Sequence, residues 1–318
     1  MSPINESIRK TLAYFDLFGY PLTKEELFAY LWQPPRISYE EFIPSVPLQG
    51  EGWGGVCNEK FGHYFFSGRE GIIENRRQRL LISELKLKIA VRAAKKICAV
   101  PFLRAIFVCN SVGAGLARSE SDIDFFIIAA PGRIWLVRFF SNLILKFWRL
   151  RTYGKKRKDK ICLSFFVDEK HLNLQSLCAL KDDIHFMYWL HQMIPVYDPK
   201  NIYHSFLDAN RWTDEYLPNV KRISRSVYLG QLKEGKIGNA WRRIWEAMWG
   251  GGYGNILENQ AKQFQLTRLK MTLKDTATRS DRSVVIEDGV LKFHENDSRK
   301  EIFDKWKLRA QYSENIYD

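Results

Sequence analysis

Residues 110–124 form a polar loop between two apolar runs, and this arrangement constrains the fold more than any other part of the sequence. Residues 105–109 precede the loop and residues 125–130 follow it, and each run predicts a buried strand. Asp122 and Asp124 stand where the second strand begins. Side chains two residues apart lie on the same face of a strand, so we expect the two carboxylates to point the same way.

Two carboxylates at the edge of a core repel each other, and burial penalises each charge. A shared divalent cation would remove that cost. Mg²⁺ takes hard oxygen ligands and completes its shell with water and substrate phosphates. Asp122 and Asp124 therefore predict a nucleotide-phosphate site with Mg²⁺, or Mn²⁺, as cofactor. The alternative is a polar turn ahead of an ordinary buried strand, since Asp and Ser favour turns through local hydrogen bonds.

A Gly/Ser loop after one strand and Asp-x-Asp opening the next resembles the nucleotidyltransferase superfamily that includes DNA polymerase beta. The resemblance implies that Ser111 holds phosphate and that Asp122 and Asp124 are catalytic metal ligands. It also implies transfer of a nucleoside monophosphate from a nucleoside triphosphate to a hydroxyl acceptor, which the sequence does not name. Asn110 stands where the family has glycine. The predicted substrate-binding residues are Asn110, Ser111, Arg118 and Ser121.

The resemblance also implies a third carboxylate, on the strand beside the Asp-x-Asp strand. The candidate for that strand is residues 160–167, a β-rich run that contains no acid. Ser164 stands about where a ligand is expected, and Asp168 and Glu169 come only at the end of the run. Two hypotheses stay open: a Mg²⁺-dependent nucleotidyltransferase, and a regulatory or nucleic-acid-binding protein that has the fold without the chemistry.

The chain has 318 residues, enough for two or three domains, and its hydrophobic content of 46% excludes a disordered protein. The formal net charge is +13, and the surplus of Lys and Arg is concentrated in residues 69–98 and 146–160. Such clustering suits a polyanionic partner, either a nucleoside triphosphate or nucleic acid. The alternative for residues 155–158 is a solvated loop.

The five cysteines form no Cys-x-x-Cys pair, and most of them lie in apolar runs. They predict small buried side chains in a reducing compartment, rather than disulfides or zinc ligands. The polar start of the chain is unlike a signal peptide. The most apolar helix candidate, residues 134–150, carries Arg138, Lys146 and Arg149 and is too short and too charged to span a bilayer. The alternatives are a helix on the membrane surface and a buried helix on the sheet, and we favour the second. We therefore expect a cytoplasmic protein with no membrane partner.

We expect an α+β protein in which a small mixed sheet, a nucleotidyltransferase-like core, lies between an N-terminal winged-helix-like domain and a C-terminal helical region. The predicted parts are a winged helix-turn-helix-like domain (1–68), a basic helical connector (69–98), the core (99–170), a helical domain (171–274) and a tail with a hairpin and a terminal helix (275–318).

The N-terminal part carries the pattern of a winged helix-turn-helix. Thr23 and Glu26 have the spacing of a capping box. Glu40 and Glu41 on the third helix would meet DNA phosphate with the wrong sign, so we favour a structural or protein-binding role. The predicted elements are helices over 5–18, 24–32 and 38–43, a Gly-rich turn over 50–55 and a strand over 62–66.

The remaining predicted elements are helices over 69–99 (one or two), 134–150, 177–194, 241–249 and 255–273, and a hairpin over 284–287 and 291–294. His185 and His191 lie six residues apart, not on one helix face, and are predicted to be packing or surface residues. A last helix follows, with Asp297 or Ser298 as its cap. Lys292, His294 and Arg299 either approach a phosphate or pack the hairpin onto the body, and we favour packing.

Overall fold

The structure is a computed structural model that describes residues 2–46, 57–154, 156–220, 232, 235–272, 284–293 and 297–312. These residues form a mixed α+β protein with a three-stranded sheet and a six-stranded sheet. The α+β class predicted from the sequence is confirmed.

The N-terminal part combines short helices with the three-stranded sheet. Its elements are α1 (Pro3–Leu17), β1 (Leu22–Thr23), α2 (Lys24–Ala29), α3 (Tyr39–Phe42), β2 (Cys57–Lys60) and β3 (His63–Phe66). Thr23 caps α2 and forms the predicted capping box with Glu26, although α2 ends at Ala29 rather than at residue 32. The strand order is β1-β3-β2. The predicted turn at residues 50–55 lies outside the described residues.

A single long helix, α4 (Ile72–Ile97), leads from this part to the larger sheet. Arg76 on α4 forms an ion pair with Glu26 at 2.7 Å, and both side chains are largely buried. This pair fixes the start of α4 against α2.

The larger sheet begins with the two strands that flank the polar loop. Its first elements are β4 (Leu103–Cys109), α5 (Asn110–Gly113), β5 (Ile123–Ala129), α6 (Ile134–Phe147), β6 (Ile161–Asp168), α7 (Ile184–His191), β7 (Ile194–Tyr197) and α8 (Ile202–Ala209). Strands β5 and β6 are parallel neighbours, as a strand, crossover helix and strand require. The predicted strand beside Asp-x-Asp is therefore confirmed.

The predicted helix over 177–194 is wrong in its bounds. The side chain of Asp183 accepts a hydrogen bond from the Phe186 backbone N–H at 3.1 Å, so α7 begins only at Ile184. The chain then enters β7, which pairs antiparallel with β4 at the edge of the sheet. An edge position tolerates Pro195, which lacks a backbone donor.

The C-terminal part supplies helices and completes the sheet. Its elements are α9 (Lys236–Trp249), α10 (Gly252–Thr272), β8 (Val284–Glu287), β9 (Val290–Phe293) and α11 (Arg299–Tyr312). The hairpin of β8 and β9 pairs with β6, which gives the strand order β7-β4-β5-β6-β9-β8. Helix α11 packs on α1, where the Trp306 indole N–H donates to the Lys10 carbonyl at 2.9 Å.

The packing of the hairpin and the start of α11 rests on a buried ion-pair network. Lys292 lies 3.0 Å from Asp297, which also pairs with Arg299 at 2.5 Å, and Arg299 reaches Asp183 at 3.1 Å. The prediction that the hairpin packs on the body is confirmed for the described residues. His294 lies outside them.

Different helices pack on the two faces of the larger sheet. Ile123 and Ile127 of β5 share a core cluster with residues of α4 and α6. Phe126 packs instead against Trp189 of α7 and Phe206 of α8, with ring centroids 6.0 and 5.4 Å apart. Because side chains alternate along a strand, Asp124 lies on the same face as Phe126.

Helix α9 turns charged side chains inward. Glu246 accepts hydrogen bonds from the Phe102 backbone N–H at 2.7 Å and from Arg104 at 2.8 Å, and Arg242 donates to the Tyr197 hydroxyl at 2.8 Å. On the outer side, Ile237 is 88% exposed and Trp241 is 53% exposed. In the part of the chain that the structure describes, no helix is long and apolar enough to cross a membrane.

Candidate functional site

The two predicted carboxylates meet at one end of the larger sheet. Asp122 precedes β5 and Asp124 lies within it, opposite Cys109 of β4 and Cys162 of β6. One donor atom from each of Asp122, Asp124 and Cys162 lies within 4.8 Å of the other two. The expectation that the carboxylates point the same way is therefore confirmed, and a cysteine joins them.

The position of Cys162 corrects the expectation that the cysteines are only small packing residues. All five are free thiols, as predicted, but Cys162 lies among potential metal ligands. Asp124 lies opposite Cys162, two residues before Ser164, and the register of β5 and β6 shifts by one residue between Asp124 and Phe126. Neither the pairing of the two strands nor the bulge can be read from the sequence, so the expected ligand position was two residues too late.

The two acids that follow the strand lie elsewhere. Asp168 pairs in register with Ala129 at the far end of β5, and its carboxylate lies 2.6 Å from the His171 ring nitrogen. Glu169 pairs with Arg104 at 3.5 Å. Neither therefore serves as the third carboxylate beside Asp124.

Asp124 is 8% exposed, and its environment favours the protonated form. Burial, followed by the charge of Asp122, raises its pKa to about 7. Hydrogen bonds from the Asn110 and Cys162 side chains and the charge of Arg157 act in the opposite direction. A group held near neutral pH in this way marks a candidate functional site, because a bound cation would compensate the charge that burial penalises.

Cys162 lies between Asp124 and an arginine. Burial raises the pKa of its thiol to about 12, and the charge of Asp124 adds to the rise, whereas Arg151 lowers it. The guanidinium of Arg151 is held in place, since its Nε donates to Asn142 at 2.8 Å and its Nη1 to the Ile161 carbonyl at 3.0 Å. Without a cation, Cys162 is therefore a neutral thiol.

Asn110 adopts a backbone conformation that favours glycine. Its φ is +54°, in the left-handed region, where asparagine is the best tolerated residue after glycine. Its side-chain oxygen accepts a hydrogen bond from the Trp189 indole N–H at 2.7 Å. Asn110 thereby connects Asp124 to α7.

The loop after Asn110 turns tightly. Ser111 is half-buried in α5, and its carbonyl accepts from the Leu116 N–H at 2.7 Å. A Cβ at Gly113 would lie 2.8 Å from the Gln192 carbonyl oxygen and 2.9 Å from that of Val108. Glycine is thus needed here because two backbone oxygens approach closely, rather than for contact with a phosphate.

Arg118 and Ser121 shape the turn ahead of Asp122. The Ser121 hydroxyl accepts a hydrogen bond from the Arg118 backbone N–H at 3.0 Å, and the Ser121 N–H donates to the Arg118 carbonyl at 3.0 Å. The Arg118 side chain is exposed. Ser121 therefore stabilises the turn, while the charge of Arg118 remains accessible to a ligand.

Sequence reasoning missed Lys86, which anchors the loop that carries Asp122. Lys86 lies on α4 and is only 2% exposed. Its Nζ donates to the carbonyls of Ser119 and Ser121 at 3.0 and 2.8 Å and to Asp159 at 2.6 Å. The one signal in the sequence was a lysine within the apolar pattern of a helix, which does not reveal its partners.

The donor set fits a divalent cation. Two carboxylates and a thiol converge, and Ser164 beside them is 4% exposed with a hydroxyl oxygen that forms no hydrogen bond with any described residue. Buried polar atoms without a partner are rare in folded proteins and frequently mark a binding site.

No protein-family model, curated protein or solved structure matches this chain.

Proposed function

We propose that this protein is a divalent-cation-dependent nucleotidyltransferase that moves a nucleoside monophosphate from a nucleoside triphosphate to a hydroxyl acceptor and releases pyrophosphate. The observation that carries the proposal is the convergence of Asp122, Asp124 and a third donor at the start of β5, next to the turn that holds Ser111. This arrangement supports the nucleotidyltransferase-like core expected from the sequence.

The chain's own residues would bind and orient the triphosphate. Ser111 would donate to a phosphate oxygen, and the exposed side chains of Arg118 and Arg157 would offset the negative charge that develops on the phosphates. Asp122 and Asp124 would hold the cation, for which the family resemblance implies Mg²⁺ or Mn²⁺. When bound, that ion would polarise the α-phosphate for in-line attack.

The positively charged side chains near the site favour a polyanionic substrate. Lys156, Arg157 and Lys158 are exposed in the loop before β6, and Arg157 lies close enough to affect the pKa of Asp124. Lys158 forms only an exposed pair with Glu120 at 3.2 Å, which solvent weakens. These cations would attract a triphosphate toward the carboxylates.

The test is transfer of label from α-labelled nucleoside triphosphates in the presence of Mg²⁺, Mn²⁺ or Co²⁺. We expect Asp122→Asn and Asp124→Asn to reduce transfer at least a hundredfold, because each removes a charged ligand. The matched control is Glu120→Gln, which changes an exposed carboxylate in the same loop and should leave transfer unchanged. Equal labelling by the wild type and both Asp variants would refute the proposal.

A second candidate function is a regulatory or nucleic-acid-binding protein without transfer activity. The observation that favours it is the thiol of Cys162 where the family implies a third carboxylate. This function would give no labelling with any of the three ions, together with binding to DNA or RNA that weakens steeply as salt rises. Absence of binding at low salt would exclude it.

A further inference from the structure

We infer that Cys162 is the third ligand of the cation site, and that the site therefore binds a thiophilic divalent transition-metal ion in preference to Mg²⁺. The inference takes the cation site from the proposed function and assigns the class of ion that occupies it.

The sheet brings Cys162 to the ion. In the parallel pair of β5 and β6, Cys162 lies directly opposite Asp124, and its sulfur belongs to the set of donors within 4.8 Å. Asp122 contributes from the same side of the strand. One ion placed among the three donors would contact two carboxylate oxygens and one sulfur, the mixed O and S set that borderline-soft ions accept.

The groups around Cys162 support a thiolate once an ion is present. The guanidinium of Arg151 interacts with the Cys162 side chain and is held by Asn142 and the Ile161 carbonyl, so its positive charge is placed to offset that of a thiolate. The Ser164 hydroxyl lies two residues along the same strand and is buried, at 4% exposure. Because this hydroxyl has no hydrogen-bond partner among the described residues, it is available to donate to a thiolate.

The charges balance only with a divalent ion. Two carboxylates and one thiolate are offset by a divalent cation together with Arg151, which leaves the partly buried cluster neutral. Binding breaks the S–H bond of Cys162, forms a sulfur–metal bond and releases the thiol proton to the solvent, together with the proton of Asp124 wherever that carboxyl is protonated. Mg²⁺ gains little from a sulfur ligand and dehydrates reluctantly, whereas Co²⁺ and Zn²⁺ bind thiolates well.

The experiment is a titration of the full-length protein with Co²⁺, followed by near-ultraviolet absorption. A thiolate ligand gives an intense sulfur-to-cobalt charge-transfer band, which oxygen ligands do not give. We expect the band in the wild type and in the control Cys178→Ser, whose cysteine is not part of the donor set. In Cys162→Ser we expect the band to disappear and the Co²⁺ affinity to fall at least tenfold.

Two further measurements fix the ion class. Zn²⁺ should displace Co²⁺ from the wild type at equimolar concentration, whereas a hundredfold excess of Mg²⁺ should not. Cys162→Asp supplies a third carboxylate, so it should lose the band and bind Mg²⁺ at least tenfold more tightly than the wild type. Circular dichroism of each variant would verify that it is folded.

The results separate this inference from the proposed function. A charge-transfer band that depends on Cys162, with no nucleotidyl transfer, would support the metal assignment and contradict the transferase. Transfer with Mg²⁺ that is unchanged in Cys162→Ser, a band that persists in Cys162→Ser, or the lack of any Co²⁺ band in the wild type would overturn the metal assignment.

Discussion

Asn110 performs two tasks at the candidate site. Its backbone adopts the left-handed conformation, which lets the chain leave β4 and turn at once into α5. Its side chain accepts from Trp189 and hydrogen-bonds to Asp124. Glycine would perform the first task only, because it has no side chain to hydrogen-bond to Trp189 and Asp124.

Substitution of Asn110 separates the two tasks. Asn110→Gly keeps the backbone conformation and loses the hydrogen bond to Trp189, which should cost about 1 kcal/mol of unfolding free energy. Asn110→Ala loses the bond and adds about 1 kcal/mol of left-handed strain. Urea unfolding should therefore rank the proteins as wild type, Asn110→Gly and Asn110→Ala. Equal stability of the two variants would show that the strain is relieved in another way.

The elements around the loop were largely predictable, and the positions of their partners were not. Long apolar runs predicted β4, β5, β6 and α6, because burial on both faces needs continuous hydrophobic residues. The strand Ile194–Tyr197 was not predicted: the predicted helix over 177–194 includes its first residue, and the run carries Pro195, which is compatible with an edge strand. Cys162 was not predicted as a ligand because its position opposite Asp124 depends on the register of β5 and β6, which the sequence alone does not determine.

Helix α4 holds the loop before β5 in place through one buried lysine, Lys86. Lys86 uses its ammonium group to join two loops, the one that carries Asp122 and the one that precedes β6. Lysine is seldom buried unless its hydrogen bonds are satisfied, and here three acceptors surround it. Helix α4 thus positions the loop that carries Asp122 through the Lys86 ammonium group.

Lys86→Met should lower the free energy of unfolding by about 2 to 3 kcal/mol, because two carbonyls and the half-exposed Asp159 lose their cation. The amide hydrogens of residues 118–122 should also exchange faster. The control is Lys88→Met on the same helix, which removes only an exposed pair with Glu84 at 3.6 Å and should change stability by less than about 0.5 kcal/mol. Equal effects of the two substitutions would contradict this role of Lys86.

At the scale of the whole molecule, α7 connects the N-terminal part to the larger sheet. Ile184, Met187 and Tyr188 belong to the core cluster of the N-terminal helices, whereas Phe186 and Trp189 belong to the cluster on the sheet. The C-terminal helix closes the same assembly, since Arg309 pairs with Asp16 of α1 at 2.7 Å. The two ends of the chain are therefore joined across one continuous packed body.

Two histidines of α7 make the stability of this body sensitive to pH. Burial lowers the pKa of His185 and of His191 to about 4, and the charge of Arg299 lowers that of His185 further. Between about pH 4 and 6.5 the unfolded chain binds more protons at these histidines than the folded chain does, so they destabilise the fold as pH falls through that window. Asp124, whose pKa is raised to about 7, acts in the opposite direction over the same range.

Substitution of His191 separates its contribution to the pH dependence of stability from those of His185 and Asp124. His191 donates to or accepts from the Thr213 hydroxyl at 2.9 Å, a contact that Gln can reproduce. We expect His191→Gln to reduce the loss of unfolding free energy between pH 6.5 and 4.5 by about 2 to 3 kcal/mol relative to the wild type. Exposed His204→Gln is the control and should not change it. A pH dependence identical in all three proteins would contradict the prediction.

The inward charges of α9 also determine which substitutions evolution can accept there. Glu246 accepts hydrogen bonds from the Phe102 N–H and Arg104, and Arg242 donates to Tyr197. Replacing Glu246 or Arg242 by an apolar residue would therefore remove these hydrogen bonds from buried polar groups. Ile237 and Trp241 are exposed, and their loss removes little packing. In descendants of a common ancestor, Arg242 and Glu246 should therefore vary less than Ile237 and Trp241, the reverse of the usual pattern for a surface helix.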